Sequence, residues 1–274
     1  MTPSRKDPRP VSALAIAGAD PGGGAGIQAD LKTFAAHRVH GLAAIAALTA
    51  QNTRGVTAVH VPPVEFLRAQ VDACFADFRI GAAKIGMLAT ADVVRTVVDL
   101  LETHRPSFVV LDPVMVATSG ARLLADDAMR ALRMRLLPLA SVVTPNIPEA
   151  EALLGHRIEG IPEMRDAAKK FLEKGAHAVL LKGGHLDGDT VVDVYTDAHG
   201  AREIVHPRLP VTAHGTGCTL SAAIAASLCR GRSLPAACVA ASDFVHRALV
   251  AAYKPGRGDI VVLDPFAAAQ GPHS

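Results

Sequence analysis

The stretch SALAIAGADPGGGAGIQADLKTFAAHRV, residues 12–39, decides the fold. Its first seven residues are almost all apolar and end in glycine, the pattern of a strand buried on both faces. From residue 25 the period changes. Ile27, Leu31, Phe34 and Ala35 fall on one helical face, and Gln28, Asp30 and Lys32 lie off it. A buried strand, a glycine-rich turn and a helix, in that order, open a parallel α/β sheet.

The alternation continues on the C-terminal side. Residues 42–50 read as a second strand running into a polar turn at 51–55, and Leu67, Val71, Cys74, Phe75 and Phe78 mark an amphipathic helix. A short strand at 83–86 precedes a helix over 93–101. Three further strands are expected at 108–111, 142–144 and 178–181, stopped by Asp112-Pro113, Pro145 and Lys182-Gly183-Gly184. Stretches 191–196 and 203–206 are β-like and are expected to pair as a small antiparallel edge. The final third is helical: Leu220, Ile224 and Leu228 stand four apart, and another helix spans 235–252. The expectation is an α/β fold, a central mostly parallel sheet with helices on both faces. No repeat or linker divides it, so a single domain is expected over 12–265, with a disordered tail at 1–11 and another tail at 266–274.

Composition narrows the function classes. The chain has 274 residues, half of them hydrophobic, enough for one large core. Net charge is +2 and the charges are mixed, so neither nucleic acid nor an anionic membrane is expected as a partner. The opening MTPSRKDPRP lacks the apolar core of a signal peptide, and no apolar run reaches membrane-spanning length. Cys74, Cys218, Cys229 and Cys238 show no CxxC spacing and read as reduced thiols of a cytoplasmic protein. Low aromatic and high alanine content are read as genomic composition bias together with close helix–sheet packing.

In open α/β sheets, ligands bind beyond the carboxyl ends of the strands. Asp20, Gln51, Met87, Asp112, Asn146 and Lys182 each follow an apolar strand. The loop 18–26 can surround an anion with its amides or be a tight turn alone. Gly24-x-Gly26-x-x-Ala29 fits a dinucleotide fingerprint, but no acidic residue lies between Lys32 and Val64 to hold the ribose, which disfavours a Rossmann oxidoreductase. Gly-Lys does not occur in the chain, so there is no Walker A loop.

A second device is His214-Gly-Thr-Gly-Cys-Thr219, ahead of an alanine-rich helix. Gly215 and Gly217 allow a tight turn, Thr216 is the expected cap, and first-turn amides favour negative charge. Cys218 in that field is expected to have a thiol pKa below the usual ~8.5 and to accept a proton from a substrate hydroxyl. Its other readings are a small buried hydrophobe and, ranked last, a nucleophile with His214 as base. Asp112 and Glu149 can organise Mg²⁺ and its waters, and Lys182 can hold phosphates. Asn146 and Glu149 read equally as a helix start, and Lys182 as a solvated strand end. His37 and His40, three apart on the expected first helix, read as surface histidines rather than a metal pair; His185 draws notice only because it follows Lys182-Gly-Gly.

Seven runs, in order and spanning nearly the whole chain, carry a resemblance. They are 17–32, Ala50-Gln-Asn-Thr-Arg-Gly55, Lys84-Ile-Gly-Met-Leu88, Leu111-Asp-Pro-Val-Met115, 144–150, Lys182-Gly-Gly-His185 and 214–219. Together they resemble the hydroxymethylpyrimidine/phosphomethylpyrimidine kinases. The resemblance implies a ribokinase-like fold and two successive ATP-dependent phosphorylations of 4-amino-5-hydroxymethyl-2-methylpyrimidine, in thiamine biosynthesis. It implies that Gln51 hydrogen-bonds the aminopyrimidine beside Thr49 and Met87, with Gly18, Ala25, Asp30 and Val114 lining the same pocket. Cys218 matches a catalytic base, Gly215, Thr216 and Gly217 an anion hole, Asp112 and Glu149 a Mg²⁺ network, and Asn146 and Lys182 the ATP site. A homodimer is implied as well. Gly22 stands where the family pattern has serine, and Thr49 where an aliphatic residue is common. The nearest rival is a pyridoxal kinase of the same fold, and the rival of another class is a non-catalytic ligand-binding module.

Overall fold

The computed structural model describes residues 7–117, 120 and 123–270. The outer parts of both expected tails, 1–6 and 271–274, lie outside the described residues. Among the described residues nine strands form one sheet: β1 (Val11–Ala19), β2 (His40–Asn52), β3 (Gly55–His60), β4 (Arg79–Ile85), β5 (Phe108–Leu111), β6 (Val142–Val143), β7 (Ala178–Leu181), β8 (Thr190–Asp197) and β9 (Gly200–Pro207). Their spatial order is β3-β2-β1-β4-β5-β6-β7-β8-β9. The six from β2 to β7 are parallel, while β3 at one end and β8–β9 at the other are antiparallel.

Helices α1 (Gly26–Ala36), α7 (Thr216–Cys229) and α8 (Leu234–Val250) cover one face. Helices α2 (Val64–Asp77), α3 (Ala91–His104), α4 (Asp126–Ala131), α5 (Ile147–Leu154) and α6 (Ile161–Glu173) cover the other. Period-two alternation assigns β1 to both cores: Leu14 and Ile16 face α2 and α3, whereas Ala13, Ala15 and Ala17 face α7. Small residues on that side match Ala222, Ala223, Ala225 and Ala226 of α7, which is buried along most of its length. The abundant alanine therefore does what the sequence suggested: it lets a helix lie close against the sheet. Each large side chain buried beside it, such as Phe34, contributes about 1.5–3 kcal/mol.

Three differences from the sequence reading have physical causes. The polar stretch 51–55 is not one turn: β2 runs on through Gln51 and Asn52, and β3 follows as a second antiparallel edge. Most of β3 is exposed, so it carries no buried-strand pattern. Residues 266–269 of the expected tail belong to helix α9 (Pro265–Ala269), capped by Asp264 and joined to α8 through Arg247 and the Ala268 carbonyl. His37 ends α1 and stacks on Phe244, while His40 opens β2 and stacks on Phe78, so the two are not on one helix and face opposite sides of the sheet. Two short strands, β10 (Ala213–His214) and β11 (Val261–Val262), pair in parallel and hold His214 at the entrance to α7.

Candidate active site

A cleft of about 730 Å³ runs along the carboxyl ends of β1, β2 and β4–β7, with the N-terminus of α7 in its wall. Asp20, Gln51, Met87, Asp112, Asn146 and Lys182 all line it, five of them after strands as expected and Gln51 from within the last residues of β2.

At one end stand Gly18, Ala25, Thr49, Gln51, Met87 and Val114. Gly18 leaves room for Met87, whose sulfur would lie 2.9 Å from a Cβ at that position. The loop after β1 wraps around Asp20: Oδ1 accepts from the Gly22 amide (2.8 Å), and Oδ2 from those of Gly24 (3.0 Å) and Ala25 (2.8 Å). Burial opposes the charge on Asp20, but hydrogen bonds from His214, Ala25 and Gly22 outweigh it and hold the carboxyl below its ordinary range. Thus this glycine-rich loop spends its amides on a side chain of its own. Gln51 Nε2 lies 2.6 Å from His214 Nε2, and Thr49 Oγ1 donates to the Ala19 carbonyl at 2.9 Å. Asp30 does not join this wall. It is fully buried in α1 and reaches the cleft only through Lys84, whose Nζ it binds at 2.9 Å.

Cys218 lies in the first turn of α7, inside the cleft. Gly215 precedes the helix at φ 82°, and a Cβ there would sit 1.8 Å from the Gly24 carbonyl oxygen, so the turn requires glycine. Thr216 is the first helical residue and not the cap; the cap position is Gly215, which has no side chain to donate or accept. The Cys218 thiol is a second correction. Burial pushes it up to about 11, against the pull of Lys84 and the Gly26 amide. The sulfur sits in a desolvated wall near Asp30 and Asp112, where the charged form is disfavoured. His214 points to Gln51 and Asp20, which leaves no support for its pairing with Cys218 as a hydrolase base.

Past Cys218, Lys182 Nζ lies 3.2 Å from Asp112 and 3.8 Å from Glu149. Gly217 keeps α7 out of its way, since a Cβ there would come within 2.9 Å of the ammonium. Asn146 and Glu149 form a complete capping box on α5: the Glu149 amide donates to Asn146 Oδ1 (2.9 Å) and the Asn146 amide to Glu149 Oε2 (2.8 Å). The helix-start reading of 144–149 therefore holds, and the same box aims a carboxylate at Lys182. Burial pushes Glu149 up to about 7; Lys182 works against that shift and Asp112 adds to it. Asp112 Oδ2 is buried with no hydrogen-bond partner. No group of three or more His, Cys, Asp or Glu suited to a metal is present among the described residues. Two carboxylates, one with an unused oxygen, fit Mg²⁺, which keeps several waters and takes its other ligands from phosphates.

Two parts of the site escaped the sequence reading. Lys84, quoted within a motif but given no role, is fully buried and lines the cleft beside Cys218. Burial works against its charge, but Asp30, Cys218 and Asp112 together raise its pKa above the ordinary lysine range. Its signal was a lysine inside an otherwise apolar strand. The far arm of the cleft is lined by Asp193, His206, Val211, Ser242, Val245 and His246. The rings of His206 and His246 stack at 4.8 Å, and Asp193 accepts from the Gly183 amide and the Ser242 hydroxyl. No local motif marks this arm, because its residues come from β8, β9, α8 and the segment before β10. His185 stands exposed near Lys182.

The cleft at the strand ends thus brings a glycine-gated helix N-terminus and a buried lysine flanked by carboxylates into one site of an α/β fold. A family model described as phosphomethylpyrimidine kinase matches residues 20–263. The hydroxymethylpyrimidine/phosphomethylpyrimidine kinase of Rhizobium meliloti (strain 1021) is 49% identical over 254 residues, covering 90% of this chain and 95% of that one. The chain belongs to the phosphomethylpyrimidine kinase family. Among solved structures, the Clostridium difficile phosphomethylpyrimidine kinase is 39% identical with a TM-score of 0.78, over 87% of this chain and 99% of that one. The Staphylococcus aureus pyridoxal kinase, solved with AMP-PCP and pyridoxal, is 32% identical with a TM-score of 0.86 over 94% of each chain.

Proposed function

We propose that the chain transfers a phosphoryl group from ATP to the hydroxymethyl group of 4-amino-5-hydroxymethyl-2-methylpyrimidine, and then to the resulting monophosphate, in thiamine biosynthesis. The observation that carries this reading is the order of groups along one cleft. In the sheet order β2-β1-β4-β5-β6-β7, Gln51 and Thr49 on β2 and Met87 after β4 precede Asp112, Asn146 and Lys182 after β5–β7, and the first turn of α7 with Cys218 packs against Asp112 and Lys182. Gln51 hydrogen-bonds the heteroaromatic ring, and Met87 packs against it. The amides of Gly215, Thr216 and Gly217 hold charge on the transferring group, the largest contribution expected in such a site. Asn146 and Lys182 serve the ATP phosphates, and the stacked His206–His246 arm suits a purine base. Asp112 and Glu149 would hold Mg²⁺ through its waters, and the ion would supply charge neutralisation at the phosphates.

Cys218 receives the hydroxyl proton. Since burial holds its thiol near 11, the thiolate is scarce at neutral pH. A thiolate base therefore gives a kcat that keeps rising with pH between 7 and 9, and a flat profile would remove it from the mechanism. Cys218→Ala is expected to lower turnover by about 10²–10⁴ with folding intact. A cytoplasmic homodimer fits the four free thiols and the exposed Leu48 and Val59 beside the β3 edge.

The deciding assay incubates the protein with Mg·ATP and either the pyrimidine or pyridoxal and follows products by mass. Sequential mono- and diphosphate from the pyrimidine is expected. Pyridoxal phosphate as the main product moves the substrate to the rival reading, which the fold likeness to pyridoxal kinase favours. No product from either leaves a binding module.

A further inference from the structure

Beside Gln51, one ring nitrogen has two claimants. His214 Nε2 lies 3.2 Å from Asp20 Oδ2 and 2.6 Å from the nearer end of the Gln51 amide. Asp20 is a carboxylate with acceptor character only, held ionised by three backbone amides. An unprotonated Nε2 would set its lone pair against that anion. The neutral Nε2–H form and the imidazolium both put a proton there, so the contact requires Nε2–H whatever the ring charge.

A donor at Nε2 then decides which end of Gln51 faces it. The Gln51 nitrogen is also a donor, and two donors do not share a 2.6 Å contact. A half-turn of the carboxamide exchanges oxygen and nitrogen without moving other atoms, and hydrogen bonding alone distinguishes the two. The other end of the amide lies 3.4 Å from Thr49 Oγ1. That hydroxyl gives its only proton to the Ala19 carbonyl, so it is an acceptor toward Gln51. These four contacts are all satisfied with the Gln51 oxygen on His214 and its NH₂ on Thr49.

We propose that His214, with Asp20 behind it and Thr49 opposite, is a specificity-determining positioning residue that locks the Gln51 amide so that Gln51 meets the substrate as a donor. The pocket then reads a ring nitrogen, not the exocyclic amine. Thr49 supplies the second half of the lock. This rests on the pyrimidine-kinase reading for the identity of the ligand but not for the position of the proton.

Two measurements test it. In ¹⁵N-labelled protein without ligand, the His214 Nε2 resonance, assigned by its loss in His214→Gln, is expected to be that of a protonated nitrogen at neutral pH. By calorimetry and kinetics, Gln51→Glu, which replaces the donor by an acceptor, is expected to weaken the hydroxymethylpyrimidine by about tenfold to a hundredfold. The KM for ATP stays within about twofold. His214→Phe is expected to raise the pyrimidine KM by about threefold to tenfold, with recovery in His214→Gln, which keeps a donor. An unprotonated Nε2, or a Gln51→Glu protein that binds the pyrimidine like wild type, overturns the proposal. If wild type neither binds nor phosphorylates the pyrimidine, the substrate reading falls instead, and the nitrogen resonance still decides the lock.

Discussion

Two buried lysines flank Cys218, and they are built differently. Lys84 meets Asp30 one to one at 2.9 Å, with both side chains wholly out of solvent. Lys182 stands in the open cleft, 15% exposed, between Asp112 and Glu149. The first pair is closed: one positive charge, one negative charge, and a burial that pushes Asp30 up only to about 6 against the pull of Lys84. The second holds two carboxylates for one ammonium, whereas each site leaves one buried carboxylate oxygen without a hydrogen-bond partner, Asp30 Oδ1 in the first and Asp112 Oδ2 in the second. A closed pair is a structural counter-ion. An unbalanced one is arranged for something that arrives from outside, which here means phosphate and its cation.

This contrast can be broken most forcefully at Asp30. Asp30→Asn leaves Lys84 buried without its hydrogen-bonded counter-ion, with an expected stability loss of about 3–5 kcal/mol, read as a Tm fall of about 10 °C. A small change would mean that water reaches Lys84 and that the pair is not closed. The matching substitution at the open pair, Asp112→Asn, is expected to do the reverse. It relieves like-charge repulsion on Glu149, so Tm should move little, while kcat/KM should drop by about 10²–10³. Equal stability losses at both sites would erase the distinction.

A finer test uses pH. Glu149 has its folded pKa raised from 4.5 to about 7, so between those values the folded state binds more protons than the unfolded chain. Stability contributed by its protonation is full below about pH 4.5 and is lost as pH climbs through about 7, on the order of 1–3 kcal/mol. In denaturant titrations without nucleotide, Glu149→Gln, which keeps the capping box, should flatten that slope. The smallest effect belongs to the box itself. Asn146→Ala should cost about 1 kcal/mol and a Tm decrease of a few degrees. A larger loss of ATP affinity than of stability in that variant would support the nucleotide role proposed for Asn146.

Much of this was legible in the residues. Apolar strands, glycine-rich turns and the Asn146–Glu149 box are local, and the six strand-end residues entered the cleft because a parallel sheet collects its carboxyl ends on one edge. Helix α6 was legible too, though not assigned: Met164, Ala167, Ala168 and Phe171 repeat at helical spacing and are all buried. Strand β3 was not, because its exposed side chains carry no burial pattern. The stacked histidines of the far arm were invisible for another reason. His206 and His246 sit on β9 and α8, and no short motif joins them.

By itself, the sequence determined the alternation of strand and helix, the turns that only glycine can make, and which polar residues end each strand. These follow from periodicity and backbone sterics within a few residues. Only the tertiary structure decided which charges meet: Lys84 finds Asp30 across 54 positions, and Gln51 finds His214 across 163. It also reversed the proton affinity of Cys218, since desolvation is set by everything packed around the sulfur, while the helix-terminus field is set by the few residues before it.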